Sequence, residues 1–301
     1  MIKLGVLDFD TSHVVEFTKR LNHKDIDKEQ WVEGAEVVIG CAGESKIAPE
    51  RIPGYIKEME KLGVPLVDKP ADMIGKVDGM LIESQEGAPH LERARPFLEA
   101  GLPCFIDKPF TCSLANAKKV VELAEKHKTV VFSSSSLRYA PDVIKFLEDK
   151  DRGKIQGVLA YGPAPFNEKD LERNPGLYHY GVHVAEILYT VMGPGCQRLS
   201  CTHEKDVDVV TGQWKDGRVA GLRGQRPGGP YGFVAFTDKG VKHVPIDTKF
   251  IYRELVKKIV EFFDKKKAPV DPAETLEIMG FIEAALKSAN NHGAGETVTS
   301  G

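Results

Sequence analysis

The first half of the chain alternates short apolar runs with longer amphipathic stretches, the pattern of a parallel sheet covered by helices on both faces. Five runs predict strands, at residues 3–7, 36–41, 79–82, 104–106 and 130–132. Between them, apolar residues at helical spacing predict helices at 90–100 and 113–126. The expected fold class is therefore α/β, beginning with a doubly wound domain that we place at residues 1–137.

The pattern changes after about Pro141. A predicted helix at 180–192 is followed by strands, and two turn sequences, Asp216-Gly217 and Asp238-Lys239-Gly240, separate pairs of apolar runs. Such turns indicate antiparallel hairpins. Two amphipathic helices are predicted at 251–265 and 272–289, so we assign residues 138–301 to a second domain.

Composition narrows the choice of partners. The chain has 301 residues, of which 42% are apolar and 28% charged, as is ordinary for a globular protein of two domains. Its formal net charge of -3 offers no bulk attraction to nucleic acid or to an anionic membrane, so a small molecule is the expected partner. No signal peptide, membrane span or CxxC pair is evident, and we expect a cytoplasmic protein with reduced thiols.

The turn after the first predicted strand lacks the glycines of a dinucleotide-binding unit. Those glycines let the backbone approach a pyrophosphate, whose charge then faces a helix N-terminus. The positions hold Asp8, Phe9, Asp10, Thr11, Ser12 and His13. Thr11 or Ser12 can cap the following helix, but two carboxylates repel a pyrophosphate unless His13 or a cation compensates. The sequence leaves pyrophosphate binding here open.

Two further positions lie where ligands of an open α/β sheet bind, at the carboxyl ends of the strands. Glu44 can hold a ribose hydroxyl, which would favour NAD over NADP, or it can be a solvated loop carboxylate. Asp-Lys-Pro occurs at 68–70 and at 107–109, but only the second copy follows a predicted buried strand. A partly desolvated Lys108 can position a substrate hydroxyl or exchange a proton with it.

Two histidines, His179 and His183, lie four residues apart at the start of a predicted helix and hence on one face. His183 can act as a general base, because imidazole titrates near neutral pH. Alternatively, His179, His183 and Glu186 can bind a metal through i, i+4, i+7 spacing, with a further ligand from Asp8 or Asp10. Both histidines can also simply pack at the helix start. These alternatives stay open.

Five motifs occur in an order that is typical of one family. They are residues 77–82 (VDGMLI), Pro89-His90, Asp107-Lys108-Pro109, Arg138-Tyr139-Ala140-Pro141 and residues 181–186 (GVHVAE). Over nearly the whole chain this arrangement resembles the glucose-fructose oxidoreductase, inositol dehydrogenase and MocA (Gfo/Idh/MocA) family. Its Glu-Lys-Pro, Arg-aromatic-x-Pro and Gly-x-His-x-x-Asp elements are similar to the last three motifs.

The resemblance implies a Rossmann-like domain that binds NAD or NADP, and an α+β domain whose open, mostly antiparallel sheet often mediates oligomerisation. We accordingly expect a homodimer or homotetramer. The resemblance also implies that Lys108 orients a sugar or polyol hydroxyl while His183 acts as acid or base. His179 stands where many members have an aspartate. Residues expected to line the cofactor or the interdomain cleft are Ser84, His90, Asp107 and Arg138.

Each of these assignments has a plainer alternative: His90 can simply start a helix, and Arg138 can pair with a carboxylate. Trp214, Arg223 and Tyr231, on predicted strands, can line a substrate site or serve only the fold. The sequence thus predicts an NAD(P)-dependent dehydrogenase or reductase of a carbohydrate-like substrate. The alternative is a non-redox scaffold, either a metal-assisted lyase or hydrolase or a ligand-binding protein, that has lost conventional dinucleotide binding.

Overall fold

The structure, a computed structural model, describes residues 1–165 and 173–300. The chain divides into two compact units. Unit 1 comprises Met1–Thr111, Ala115–Ser134 and Tyr252–Pro272, and unit 2 comprises Cys112–Leu114, Ser135–Ile251 and Ala273–Gly301. Within the described ranges, no helix is both long and apolar enough to span a membrane.

The helices of the described residues are α1 (His13–Leu21), α2 (Ile52–Lys61), α3 (His90–Glu99), α4 (Leu114–Lys126), α5 (Pro141–Glu148), α6 (Gly181–Met192), α7 (Ile251–Lys265) and α8 (Pro272–Asn290). The strands are β1 (Ile2–Leu7), β2 (Ala35–Cys41), β3 (Gly79–Ile82), β4 (Cys104–Ile106), β5 (Val131–Phe132), β6 (Ile155–Pro163), β7 (Cys196–Glu204), β8 (Val207–Trp214), β9 (Val219–Gln225), β10 (Gly232–Thr237), β11 (Gly240–Pro245) and β12 (Glu296–Thr297).

Unit 1 is built on a five-stranded parallel sheet in the order β2-β1-β3-β4-β5. β3 and β4 are buried along their whole length, which is why they read as continuous apolar runs rather than as alternating ones. The strand order reverses beside β1, which pairs with β2 on one side and with β3 on the other. Such a reversal opens the crevice in which doubly wound folds bind ligands.

Helix α7 belongs almost entirely to unit 1, although the sequence pattern assigned it to the second domain together with everything after residue 137. Its Phe262 ring packs 5.5 Å from Phe132 of β5, and Phe132 lies 5.5 Å from Phe105 of β4. A Cβ on Gly79 would collide with Phe263, so α7 packs directly against the start of β3. An amphipathic pattern predicts a buried face but not which sheet covers it.

Unit 2 contains a seven-stranded sheet in the order β11-β10-β6-β9-β8-β7-β12. Every neighbouring pair is antiparallel except β6 and β9, so the predicted open, mostly antiparallel sheet is confirmed. Both predicted hairpins form, between β8 and β9 and between β10 and β11. α6 packs on β6 and β9 and covers one face of the sheet.

Candidate functional site

Buried acidic residues crowd the carboxyl edge of the parallel sheet in unit 1. They follow the ends of β1, β3 and β4 and are at most 2% exposed: Asp8, Asp10, Glu83, Glu86 and Asp107. The carboxyl ends of parallel strands meet at one edge, which is where ligands of this architecture bind. Since a buried carboxylate is costly unless it is paired, each of these side chains requires an explanation.

Asp8 keeps the backbone conformation that a glycine would adopt at the start of the first turn. Its φ of 69° lies in the left-handed region, and its N–H donates to the Cys41 carbonyl across the sheet edge. Its carboxylate fills the space beside Gly43, where an added Cβ would collide with it. The strand-turn-helix geometry therefore persists without the glycines. The space that glycines would leave open in this turn is occupied by the Asp8 carboxylate.

Burial raises the pKa of Asp8 to about 7, and the opposing attraction of Arg93 only partly offsets that rise. The two side chains approach closely, with 3.1 Å between Arg93 Nε and Asp8 Oδ2. Burial also raises the pKa of Asp10, although the Gln85 N–H donates to Asp10 Oδ1 at 2.8 Å and favours the ionised form. Near neutral pH the first turn is therefore less negative than its sequence implies.

Other predicted positions in this turn and the next loop serve local structure. The Thr11 hydroxyl lies 3.5 Å from the His13 N–H, whereas Ser12 is exposed and makes no side-chain cap for α1. Glu44 is exposed, and its backbone carbonyl accepts a hydrogen bond from Arg93. Glu86, which the sequence reasoning missed, accepts hydrogen bonds from the backbone N–H groups of Lys46 and Ile47 and so fastens the loop after β2.

His13 contacts the acidic group that follows β3 and β4. Its Nδ1 lies 2.7 Å from Asp107 Oδ2 and 3.9 Å from Glu83 Oε2. Burial raises the pKa of Glu83 well above its ordinary value, and the negative charge of Asp107 raises it further. Burial acts in the same direction on Asp107, but the charge and hydrogen bond of His13 outweigh it and lower the pKa of Asp107. Two neighbouring carboxyl groups thus differ in their affinity for a proton.

Lys108 directly follows Asp107 at the end of β4 and is 5% exposed. Its ammonium group is close enough to lower the pKa of both Glu83 and Asp107, against the effect of burial on each. His90 connects the segment that follows this lysine to the loop after β3: its Nδ1 lies 2.9 Å from the Pro109 carbonyl, and its Nε2 lies 3.0 Å from the Ser84 carbonyl. His90 does start α3, and its buried ring joins the loops that follow β3 and β4.

In unit 2, His183 lies on α6 and is 8% exposed. Its Nδ1 is 2.7 Å from the Ser135 hydroxyl, and its ring meets that of Tyr231 edge-on at 5.9 Å. Ser135 was not among the predicted site residues. Because one ring nitrogen is engaged by the hydroxyl, the hydrogen bond with Ser135 fixes the orientation of the imidazole.

The predicted helical pairing of His179 with His183 is wrong, because α6 begins only at Gly181. His179 lies before the helix, with its Nδ1 3.3 Å from the Asn174 side-chain nitrogen. Glu186 Oε2 accepts a hydrogen bond from Arg138 Nε at 2.7 Å, so Arg138 does pair with a carboxylate, as the plainer alternative expected. Within residues 1–165 and 173–300, the trio of His179, His183 and Glu186 does not gather as a metal-binding group.

Arg138 makes a second ion pair, 2.7 Å from Glu274, and both partners are largely buried. Burial by itself would lower the pKa of Arg138, but the two carboxylates outweigh burial and raise it.

Glu83 and Glu86 were missed in the sequence, although the signal that pointed to Lys108 was available for them as well. Each of them follows the end of a strand at the ligand-binding edge. For Ser135 the sequence offers no comparable signal.

Comparison with known proteins finds a match to one family of oxidoreductases over part of the chain. The family model for Gfo/Idh/MocA, described as "Oxidoreductase family, NAD-binding Rossmann fold", matches residues 37–135. An uncharacterized oxidoreductase of Escherichia coli K12, YhhX, is 26% identical over 111 residues, which are 35% of this chain and only 32% of that protein.

Solved structures match over nearly the whole chain. A myo-inositol dehydrogenase from Corynebacterium glutamicum has a TM-score of 0.78 at 14% identity, with 99% of each chain covered. GenD2 from gentamicin A biosynthesis, solved in complex with NAD, has a TM-score of 0.80 at 15% identity, with 99% of this chain and 96% of that chain covered. The likeness extends over both units and is one of fold. The resemblance read from the motifs is thus confirmed: residues 37–135 match the model of the Gfo/Idh/MocA oxidoreductase family, and the chain has the fold of a solved myo-inositol dehydrogenase over 99% of its length.

Proposed function

We propose that the protein is an NAD(P)-dependent dehydrogenase or reductase that acts on a hydroxyl or carbonyl group of a small sugar-like or polyol-like substrate. The observation that carries this proposal is the position of Lys108. It stands in the family's Glu-Lys-Pro place, directly after β4, at the ligand-binding edge of the sheet. The buried His90 holds the loops around it.

The proposed catalytic roles fall to Lys108 and His183. Lys108 donates a hydrogen bond to the substrate oxygen and stabilises negative charge that develops on it. His183 takes the proton from the substrate hydroxyl during oxidation and returns it during reduction. Ser135 holds the imidazole of His183 in one orientation, which an acid-base residue needs because only a correctly directed ring nitrogen can transfer the proton.

The first turn can accept a dinucleotide when Asp8 is protonated. Asp8 keeps the left-handed backbone of the turn, and the neighbouring Arg93 can offer its guanidinium to a phosphate. Protonation of Asp8 below about pH 7 removes the charge that would repel the pyrophosphate. Residues that we propose to contact the nucleotide are Asp8, Asp10, Thr11, Ser12, His13, Glu44, Ser84, His90, Asp107, Lys108, Arg138 and, in addition, Arg93. A bound nicotinamide supplies the hydride acceptor or donor.

The choice between the two nucleotides rests on Glu44. Its exposed carboxylate follows β2, where an acidic residue can accept a hydrogen bond from a ribose hydroxyl and repels a phosphate at the same position. We therefore propose NAD over NADP. Replacing Glu44 by glutamine removes the repulsion, so it should narrow the difference in affinity between NADH and NADPH.

A nucleotide titration tests the function. NADH and NADPH are titrated into the protein at pH 6 while nicotinamide fluorescence is followed, and polyols are then screened for reduction of NAD or NADP. We expect saturable binding of at least one nucleotide. Lys108→Met and His183→Gln should both lose turnover, and His183→Gln, which lies outside the proposed nucleotide contacts, should retain nucleotide binding. Absence of binding at millimolar concentrations would reject the proposal, and full turnover by Lys108→Met would reject the assigned role of Lys108.

A second function is favoured by the buried carboxylates at the sheet edge. The alternative is a non-redox, metal-assisted lyase or hydrolase, or a ligand-binding protein, that uses this fold without a dinucleotide. Five acidic side chains at one edge suit a cation or a hydroxyl-rich ligand better than an anion. The two functions are distinguished by the same titration, because only the dehydrogenase requires a nicotinamide nucleotide.

We also propose that the protein forms a homodimer or homotetramer through the outward face of the sheet in unit 2. On this face the large apolar side chains of Leu159, Val219, Phe236 and Val241 are 38–65% exposed. Phe236 of β10 pairs with Val241 of β11, and Leu159 of β6 pairs with Val234 of β10, so these side chains form a continuous apolar area. A second copy of the same surface would cover it.

A further inference from the structure

Three side chains at the carboxyl edge of unit 1 present ligand atoms of the types that metals bind. His13, Glu83 and Asp107 each offer one such atom, and these atoms all lie within 4.8 Å of one another. Each of the three residues is at most 6% exposed. They come from different parts of the chain, since His13 starts α1 while the two acids follow β3 and β4. The sheet itself therefore fixes the arrangement.

The carboxyl group of Glu83 is fully buried and is aimed into this cluster. Within the described ranges, neither of its oxygens has a hydrogen-bond partner, and Asp107 Oδ1 has none either. Leaving buried carboxyl oxygens unpaired is costly in a protein interior, and such groups usually bind an ion or a buried water. Glu83 thus points to a ligand independently of the closeness of the three residues.

The net charge around Glu83 also favours binding of a cation. Besides His13, which lies 3.9 Å away, the ionisable groups that act on it are Asp107 and Asp10, which are acidic, and Lys108, which is basic. With His13 neutral and the others ionised, three carboxylates stand against a single ammonium group. The region then carries a net charge of about two negative units, which a divalent cation neutralises.

We propose that His13 Nδ1 and the carboxylates of Glu83 and Asp107 form a binding site for a divalent transition-metal cation of the zinc or manganese class. One imidazole and two carboxylates suit these ions, whereas Ca²⁺ requires six or more oxygen ligands and Cu⁺ prefers sulfur. Three protein ligands also leave at least one coordination position for water or a bound molecule.

The two separations measured from His13 Nδ1 fit one central ion. Two donors that each lie about 2.1 Å from a metal are about 2.7 Å apart at an angle of 80° and about 3.9 Å apart at 135°. These values match the distances from His13 Nδ1 to Asp107 and to Glu83, which are 2.7 Å and 3.9 Å. The ion replaces the proton that otherwise lies between His13 and Asp107, so small side-chain movements suffice.

The experiment uses the full chain, stripped with a chelator and then dialysed against Zn²⁺, Mn²⁺ or Co²⁺, with bound metal measured by mass spectrometry. We expect about one ion per chain. Glu83→Gln and Asp107→Asn should each weaken binding roughly tenfold or more, since even residues that only support a metal ligand contribute that much. His127→Gln and Glu60→Gln, which change a histidine and an exposed carboxylate of unit 1 outside the cluster, are the matched controls and should bind like the wild type.

Glu83→Gln is a conservative change in shape, because an amide of nearly the same size replaces the buried carboxyl group. A further measurement needs no variant. Calorimetric titration of the wild type with Zn²⁺ should show saturable binding with a stoichiometry of about one ion per chain. Failure of all three ions to bind at 100-fold molar excess, or undiminished binding by both variants, would overturn the proposal. These measurements of metal binding need no nucleotide, so their outcome is distinguishable from the outcome of the nucleotide titration.

Discussion

Replacing Asp8 by asparagine removes a buried charge and leaves the shape of the first turn intact. The side chain is 1% exposed, and its backbone φ of 69° lies in the left-handed region. Asparagine is one of the few residues other than glycine that adopt this region readily, so the substitution should not strain the backbone. The amide also occupies nearly the same volume beside Gly43. The main change is therefore electrostatic.

The magnitude follows from the pKa. Burial raises the pKa of Asp8 from an ordinary value of 3.8 to about 7, so the folded state binds the proton more tightly than the unfolded state does. A difference of about 3 pKa units corresponds to about 4 kcal/mol. Above pH 7 the ionised side chain lowers the free energy of unfolding by this amount. The penalty shrinks as pH falls below 7 and is small at pH 4, close to the unfolded pKa of 3.8, below which both states become protonated.

Asparagine carries no charge at any of these pH values and escapes the penalty. We expect Asp8→Asn to be more stable than the wild type by about 4 kcal/mol at pH 8, by about 2 kcal/mol at pH 5.5 and by under about 1 kcal/mol at pH 4. Urea unfolding measures the difference. In a Trp214→Phe background, Trp31 is the remaining tryptophan and reports on unit 1.

The matched control is Glu44→Gln, which removes an exposed carboxylate from the neighbouring loop and should leave the stability profile nearly unchanged. Two results would refute the reasoning. One is a difference between Asp8→Asn and the wild type that stays constant from pH 5 to pH 8. The other is a variant that is less stable than the wild type at pH 8, which would mean that the attraction of Arg93 outweighs burial.

Three further changes test the framework around the site. His90→Gln should lower the free energy of unfolding by about 2–3 kcal/mol in urea titrations, because the loss of the buried imidazole N–H leaves a carbonyl group without its donor. Arg138→Met should cost about 3–5 kcal/mol in the same assay, because Glu186 then stays buried without its partner. Phe236→Glu or Val241→Glu should shift the oligomer toward monomer in light scattering, because a charge enters the apolar face.

Controls distinguish these effects from general damage. Combining Arg138→Met with Glu186→Gln should recover part of the lost stability, and a fully additive loss would contradict the pairing. His127→Gln should leave stability within about 0.5 kcal/mol of the wild type, as surface changes usually do. A monomeric wild type, or a Phe236→Glu variant that associates as strongly as the wild type, would contradict the proposed interface.

The strands of both sheets could be predicted because their apolar residues and the turns between them follow recognisable patterns. β3 and β4 are buried on both faces and read as unbroken apolar stretches, and the hairpin turns carry Asp-Gly and Gly at the required positions. The start of α6 was placed one residue early, and this small error mattered. The metal hypothesis extended the helical register of His183 back to His179, which lies two residues before the helix begins at Gly181.

The burial of the acidic residues could not be read from the sequence. A carboxylate after a strand is ordinarily expected in a solvated loop, and only the tertiary structure shows that Glu83 and Asp107 are fully covered. The pairing of His13 with Asp107 joins residues 94 positions apart, which no local pattern reveals. The membership of α7 in unit 1 was missed for a related reason, since an amphipathic face does not specify its partner.

The loss of stability caused by the buried Asp8 carboxylate indicates what kind of ligand the site binds. Glycine or asparagine would satisfy the left-handed backbone at residue 8 without about 4 kcal/mol of electrostatic penalty. A buried group that destabilises the fold at a ligand-binding edge is typical of functional sites, where a bound ligand offsets the penalty. Asp8 and Glu83 both bind protons more tightly in the folded state, so both respond to any positive charge brought to the edge. A cation at His13, Glu83 and Asp107 would lower the negative potential that opposes a pyrophosphate. The same acidic edge can then serve a metal and a nucleotide, with the metal favouring the nucleotide.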